Sequence, residues 1–308
     1  MNGRHLFPTI LIFGVLAAVL FSGCTEVTEM GSQLAQEAGV ISADQAGSLT
    51  RSAQAIEKTQ QELTPEQEYY IGRAVVANVL QTYPPLDRPQ ANAYLNLLGQ
   101  SLAVFSNRPE TFGGYHFLLV DSDEVNAFAA PGGLILVTRG MLLCCANEDE
   151  LAAVLAHEIC HVEMKHGLRA IKQGRLTEAL MVVAQESAKQ MGSEELASLT
   201  REFEASVGDI VMTLTTSGYS RSQERNADAA AVQILRRAGY PEAAMITMLQ
   251  RMDARLADAR GLGFAKTHPS AKSRTDSVRT MITDARLVPD TARQERFFAA
   301  MRSLPAGR

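Results

Sequence analysis

A chain of 308 residues can bury one large hydrophobic core or two modest ones. Hydrophobic residues make up 46% of the sequence and charged residues 20%, which is the composition of an ordinary globular protein. The 34 acidic residues outnumber the 29 basic ones, and basic residues neither form runs nor alternate with aromatic residues. These features argue against nucleic acid as a partner.

The N-terminal segment has the pattern of an export signal. A short basic region precedes an apolar stretch from Ile10 to Phe21, which is too short to span a bilayer comfortably but suits the core of a signal peptide. Two small residues then precede Cys24, as in a bacterial lipobox, although Phe21 stands where leucine is usual. The sequence therefore predicts a lipoprotein signal peptide over 1–23 and lipidation of Cys24. Ordinary signal cleavage is the alternative.

A lipidated Cys24 would anchor the mature chain to a membrane by acyl chains rather than by a spanning helix. Thr25, rather than an aspartate, follows the cysteine, which resembles lipoproteins sent to the outer membrane. We therefore expect a periplasm-facing lipoprotein of the cell envelope, at the outer membrane. Residues 24–63 are rich in small and polar residues and are expected to form a tether.

The folded part is expected over 64–285, followed by a C-terminal tail over 286–308. Thr64 and Gln67 form a capping box, which predicts the start of a helix that continues to about Thr82. This is the first firm helix start after the tether.

Helices surround one clear β region. A second helix is predicted over 89–105, and short apolar strands are predicted over 115–120 and 134–138. From Asn147 onward almost every segment has a helical pattern. The expected fold class is therefore α+β and mostly helical.

His157, Glu158 and His161 form an H-E-x-x-H pattern on a helix predicted to run from Asn147 through His166. Histidines four residues apart lie on one face of a helix, so both ring nitrogens can reach a single Zn²⁺. Glu158 lies beside the first histidine, where it can reach a metal-bound water without being a ligand. The pattern predicts one zinc ion per chain. The alternative is a pair of solvated histidines on a surface helix.

A catalytic zinc needs a third protein ligand. Glu224 and Asp228 share one face of another predicted helix, so Glu224 can bind the metal while Asp228 accepts a hydrogen bond from a ligand histidine. Glu178 is the alternative ligand, although no acidic residue follows it four positions later. His166 lies about 500° round the helix from His161, so we expect it to point away from the pair.

Cys144, Cys145 and Cys160 lack the C-x-x-C spacing of a structural zinc site. In an exported protein either of the first two could form a disulfide with Cys160. Buried free thiols that pack as small hydrophobic residues are the alternative.

Four segments occur in an order that resembles a known family: Asn126–Gly133, His157–His161, Tyr219–Asp228 and His268–Ser270. From about Thr64 to Arg279 the chain is similar to the gluzincin metallopeptidases of the HtpX/BepA/LoiP type, which include the CAAX-prenyl endoproteases. The resemblance implies a zincin-type peptidase fold, with a small β-sheet beside the active-site helix. The layout is most similar to the short lipoprotein members, because the catalytic region has no membrane span and the chain ends too soon for a tetratricopeptide domain.

The family resemblance also assigns roles to residues. It implies His157, His161 and Glu224 as zinc ligands and Glu158 as the base. The segment from Asn126 to Gly133 is expected to line the cleft, and its apolar strand residues are expected to bind an extended substrate by strand addition. The substrate-binding residues are Asn126, Ala127, Phe128 and Ala129.

Two further expectations concern side chains near the predicted centre. His268 is expected to be an oxyanion donor, a latch that occupies the open zinc position, or a structural loop residue. Arg221 and Arg274 are hypothesised to pair with Asp228 or with other carboxylates of the site.

The resulting hypothesis is a zinc metalloendopeptidase that hydrolyses unfolded or misassembled cell-envelope proteins, with Glu158 activating a zinc-bound water. The alternative is a zinc-binding lipoprotein chaperone or assembly factor with little or latched proteolytic activity. A zinc lipase or other hydrolase finds no support, because no G-x-S-x-G motif occurs.

Overall fold

The computed structural model describes residues 63–170, 204–258, 271–287 and 289–302, together with Gln36, Ser42, His268 and Leu304. The chain divides at Leu63, and the unit from Thr64 onward holds all the elements described below. The predicted signal peptide, Cys24 and the alternative ligand Glu178 lie outside the described residues.

Two helices open the folded unit. Helix α1 spans Pro65–Thr82 and begins with the expected capping box, in which the side chains of Thr64 and Gln67 each accept a hydrogen bond from the other residue's backbone N–H. Helix α2 spans Pro89–Ala103 and ends slightly before the predicted boundary. Both helices have proline in the first turn, where the missing N–H has no intrahelical partner to lose.

Three strands form one sheet in the order β1-β3-β2. Strand β1, His116–Val120, is parallel to β3, Leu134–Thr138, and both lie where the sequence predicts them. Strand β2, Ala127–Ala130, is antiparallel to β3 and coincides with the expected substrate-binding segment. The 3₁₀ turn Pro131–Gly133 joins β2 to β3, and Gly132 has a φ of 76°, a conformation that favours glycine.

Helix α3, Arg139–Cys144, leads into α4, Glu148–Glu163, which runs through the core and carries the H-E-x-x-H pattern. Almost every residue of α4 is buried. The prediction that this helix continues through His166 is wrong. The helix ends at Glu163 because Lys165, with a φ of 55°, leaves the right-handed helical region.

The remaining helices cover α4. Residues 204–212 are helical and lead into the π-helical turn Thr213–Ser217. Beyond it lie α5 (Arg221–Arg237), α6 (Ala244–Asp258), α7 (Ala271–Arg279) and α8 (Thr291–Met301). Helices α5, α6 and α8 pack against α4, and α8 buries Phe297 and Ala300. In the described ranges, no helix has both the length and the apolar character that a bilayer crossing requires.

The three cysteines of the folded unit are buried free thiols. Cys144, Cys145 and Cys160 belong to the main hydrophobic core, together with the apolar residues of α4. Burial raises the pKa of Cys144 to about 11. The prediction of a disulfide between Cys160 and Cys144 or Cys145 is wrong, and the three free thiols pack as hydrophobic groups.

Candidate metal centre

His157 and His161 of α4, Glu224 of α5 and His268 converge on one buried point. One donor atom from each of the four lies within 4.8 Å of the others. The Nε2 atoms of the two α4 histidines are 3.0 Å apart, and Glu224 Oε1 is 3.4 Å from Nε2 of His161. None of the four side chains is more than 2% exposed. The structure thus brings together the three residues that the sequence suggests as zinc ligands.

The backbone explains this convergence. His157 and His161 lie one turn apart on α4, on the face that packs against α5. Helix α5 begins with a capping box between Ser220 and Gln223, which fixes its first turn. Glu224 follows directly in that turn and therefore faces the two histidines.

The donor set fits zinc. Two imidazoles and one carboxylate are a known ligand combination of catalytic zinc sites, and a fourth position is left for water or substrate. The surroundings of Glu158 are a second observation that fits a metal site. Within the described part of the chain, neither of its carboxylate oxygens has a hydrogen-bond partner, although the side chain is 1% exposed. Burial raises the pKa of this carboxyl group.

Charged side chains surround His157. Its Nδ1 atom lies 3.0 Å from Oδ1 of Asp228, which lies one turn beyond Glu224 on α5. Arg274 contacts both carboxylates, at 2.6 Å from Asp228 Oδ1 and 3.0 Å from Glu224 Oε2. Burial and Arg274 act to lower the pKa of His157, but hydrogen bonds to Asp228 and Glu224 outweigh them and raise it to about 9.

Of the two arginines that the sequence suggests as partners of these carboxylates, the structure buries only one at the centre. Arg274 of α7 is 3% exposed, and Arg221 is exposed at the start of α5. Burial alone would raise the pKa of Glu224, but His268 and Arg274 hold it well below its usual range. The carboxylate is therefore held in its charged form, which is the form that binds a metal.

Neutral and aromatic side chains surround His161. The ring of Tyr219 stacks on it, with centroids 4.0 Å apart and planes 18° from parallel. Nδ1 of His166 lies 2.9 Å from Nδ1 of His161. The prediction that His166 points away is wrong, because the helix ends before it and the chain turns back. Burial lowers the pKa of His166 to about 4 and that of His161 well below its usual range.

His268 lies with the donor atoms and not in an exposed loop. Its Nδ1 is 2.7 Å from Glu224 Oε1, and its Nε2 is 4.0 Å from Glu158 Oε1. The side chain is 2% exposed. A histidine in this place can reach either the metal position or the carboxylate beside it.

The four residues expected to bind substrate are buried. Asn126, Ala127, Phe128 and Ala129 are each 3% exposed or less. Phe128 packs on the ring of Tyr83, with centroids 4.9 Å apart, and β2 packs against α4. These exposures include the backbone, so β2 is covered in this structure, on one side by α4 and also by the turn Thr213–Ser217.

The sequence predicted no role for Tyr219, and it predicted that His166 points away from the metal ligands. The available signal for His166 was the presence of three histidines between positions 157 and 166, out of six in the chain. Tyr219 carries no comparable signal by itself, because its contact with His161 depends on how the turn before α5 packs.

Comparison with known proteins places the chain among peptidases. A family model described as peptidase family M48 matches residues 89–282. The beta-barrel assembly-enhancing protease of Yersinia pestis is 30% identical over 248 residues, which are 79% of this chain and 49% of that protein. The mitochondrial metalloendopeptidase OMA1 of Schizosaccharomyces pombe is 31% identical over 168 residues, 54% of this chain and 46% of that protein.

A third relative is shorter. Metalloprotease LoiP of Escherichia coli (strain K12) is 29% identical over 156 residues, which are 51% of this chain and 58% of that protein. The chain spans about half the length of the curated relatives that it matches.

Proposed function

The chain belongs to peptidase family M48, and on this basis we propose that it is a zinc-dependent endopeptidase. The observation that carries the proposal is the convergence of His157, His161 and Glu224 beside the buried carboxylate of Glu158. The relatives described above are named as proteases or metalloendopeptidases, which agrees with this chemistry.

His157, His161 and Glu224 are the proposed ligands of one Zn²⁺ per chain. When bound, zinc supplies Lewis-acid chemistry, because it polarises the scissile carbonyl and makes a water molecule nucleophilic near neutral pH. Asp228 accepts a hydrogen bond from Nδ1 of His157 and so keeps Nε2 free for the metal. Arg274 neutralises part of the negative charge that Asp228 and Glu224 bring into the core.

Glu158 is the proposed general base. It takes a proton from the attacking water and returns it to the amine of the leaving fragment. A carboxylate whose oxygens are already occupied by hydrogen bonds would be a poor base. Glu158 suits the task because its oxygens accept no hydrogen bond from the described residues, with His268 Nε2 at 4.0 Å, and because burial raises its pKa.

Strand β2 is the proposed binding edge for an extended substrate. It stands at the end of the sheet order, with β3 on one side, and a substrate chain would add next to it by backbone hydrogen bonds once the segments that cover it move aside. The buried side chains of residues 126–129 support the strand from within and keep the edge beside the metal ligands. Backbone pairing of this kind selects unfolded segments over folded ones.

His268 supports two readings of how the centre works. As an oxyanion donor it would stabilise the tetrahedral state of the scissile carbonyl. As a latch it would occupy the open metal position, and its Nδ1 at 2.7 Å from Glu224 favours this second arrangement. A latched centre is the basis of the second candidate function, a zinc-binding chaperone or assembly factor with little proteolysis.

The proposed substrates are unfolded or misassembled proteins of the cell envelope. The name of the Yersinia pestis relative places that protein in beta-barrel assembly, which supports an envelope role here. We also propose that a signal peptide over 1–23 is removed and that Cys24 is lipidated, with 24–63 as the tether to the outer membrane and 64–285 as the catalytic domain.

The test measures zinc content and casein cleavage for the wild type, Glu158→Gln and Glu224→Ala. We expect about one zinc per wild-type chain, no cleavage by Glu158→Gln with zinc retained, and weakened zinc binding by Glu224→Ala. Wild type that binds zinc but does not cleave, and that starts to cleave as His268→Ala, would favour the latched reading. Absence of zinc from the wild type would overturn the proposal.

A further inference from the structure

The turn after α4 brings His166 back onto His161. The helix ends in a Schellman motif, in which Lys165 N–H donates to the carbonyl of Val162 and His166 N–H donates to the carbonyl of His161, both at 3.0 Å. Lys165 is the left-handed residue of the motif. In this motif the second residue beyond the C-cap lies over the third residue from the helix end. Here those two residues are His166 and His161.

The contact between these two imidazoles fixes which nitrogen of His161 carries a proton. Its Nε2 faces His157 and Glu224, and its Nδ1 faces Nδ1 of His166 at 2.9 Å. When Nε2 binds a metal, the proton of a neutral imidazole stands on Nδ1, so His161 donates this hydrogen bond. His166 must then accept through Nδ1 and carry its own proton on Nε2.

We propose that His166 is a positioning residue of the metal centre, which orients His161 and fixes its tautomer by accepting a hydrogen bond from its Nδ1–H. A carboxylate, Asp228, does the same for His157. The two ligand histidines are thus held by acceptors of different charge. The inference rests on the proposed function only in taking His161 as a metal ligand.

A buried carboxylate on α1 holds the turn in place. Glu68 is 1% exposed, and its two oxygens lie 2.8 Å from Lys165 Nζ and 2.6 Å from Arg108 Nη2. Glycine is the usual residue at a left-handed helix end, because other residues adopt this conformation rarely. At Lys165 the ion pair with Glu68 ties the turn to α1. The position of His166 is therefore set from outside the helix that carries the metal ligands.

The experiment measures the zinc dissociation constant of the full chain by competition with a chelator. We expect His166→Leu to weaken zinc binding about 10- to 100-fold, because an outer partner of a ligand histidine is lost. His166→Asn keeps an acceptor oxygen close to the Nδ1 position and should recover most of this loss. His116→Leu is the matched control, since it makes the same chemical change at an exposed histidine of β1 away from the centre, and it should bind zinc as the wild type does.

A second measurement uses the wild type and does not depend on how the variants fold. Nitrogen-15 NMR of the zinc-loaded protein should show His166 as the neutral tautomer with its proton on Nε2. A proton on Nδ1 of His166, or equal zinc affinity for wild type and His166→Leu, would overturn the inference. Equal losses for His166→Leu and His166→Asn would also overturn it. A wild type that binds no zinc would overturn the proposed function instead, so the two failures are distinct.

Discussion

Both halves of α4 bury an acidic side chain, but only one of the two carboxylates is surrounded by hydrogen-bond donors. At the N-terminal end, Glu148 is 1% exposed and accepts hydrogen bonds on both oxygens. Tyr240 and Arg296 donate to Oε1, at 2.9 and 2.6 Å, and Tyr94 and Arg296 donate to Oε2, at 3.1 and 3.2 Å. Near the C-terminal end, Glu158 is equally buried, and none of the described residues donates to it.

This difference distinguishes a carboxylate that stabilises the fold, Glu148, from one that is available for a reaction, Glu158. A buried carboxylate that stabilises a fold is surrounded by donors, because an unpaired buried charge is costly. A carboxylate that must accept a proton during a reaction cannot be occupied in the same way. This contrast supports the proposal that the Glu148 end stabilises the fold and that Glu158 takes part in the chemistry, on one helix of 16 residues.

The largest expected effect on stability is at the structural end. Glu148→Gln removes the negative charge that Arg296, Tyr94 and Tyr240 surround, and it should lower the free energy of unfolding by about 3 kcal/mol. Denaturant unfolding at neutral pH measures the change. Casein cleavage per zinc-loaded molecule, measured at low temperature, should stay close to the wild-type value. Lost cleavage with unchanged stability would break the distinction between the two ends.

A smaller effect of opposite sign is expected at the chemical end. Glu158→Gln removes a desolvated carboxylate that accepts no hydrogen bond from the described residues and has His268 Nε2 only at 4.0 Å, so the zinc-free protein should gain about 1 kcal/mol of unfolding free energy. The same denaturant experiment measures it, with Glu148→Gln as the matched control for an equal chemical change on the same helix. Destabilisation of both variants by equal amounts would mean that Glu158 has a structural partner.

The smallest effect comes from an ion pair away from both ends. The hydrogen bond from Arg236, at 2.6 Å, is the main cause that lowers the pKa of Glu242 to about 2, and Thr283 assists. Since the pKa is lower in the folded state, this stabilisation is present above the unfolded pKa of 4.5 and is lost as pH falls toward 2. Glu242→Gln should cost about 0.5 kcal/mol at pH 7, because the partial exposure of Arg236 weakens the pair.

The measurement for this pair is thermal unfolding of both proteins across the acid range. The difference in melting temperature between wild type and Glu242→Gln should shrink between pH 4.5 and pH 2. A difference that stays constant over that range would show that the carboxylate is not held by charge.

Local signals predicted much of the fold and of the centre. The capping box at Thr64 gave the start of α1 correctly, and the apolar runs gave β1 and β3, because these signals act over a few residues. The four-residue spacing of His157 and His161, and of Glu224 and Asp228, placed each pair on one helix face. Packing of α4 against α5 then brings the two pairs together.

Other features depend on contacts that no local pattern carries. The end of α4 was misplaced because Lys165, rather than glycine, is the left-handed residue, so the usual stop signal is missing. Phe297 and Ala300 join the core from the segment expected to be a tail, because α8 packs back onto α4. The sequence suggested both Arg221 and Arg274 as partners of Asp228, and the packing of α7 against α5 decides that Arg274 is the one that reaches it.

The placement of the candidate ligands on two different helices has a consequence for the lifetime of the protein. An ion held by His157 and His161 of α4 and by Glu224 of α5 would link two segments that are distant in the chain. Each tenfold rise in free zinc above the dissociation constant would then add about 1.4 kcal/mol to the free energy of unfolding. Scarcity of the metal would therefore lower the stability of the fold as well as the proposed activity, and a less stable chain is unfolded, and so open to proteolysis, more of the time.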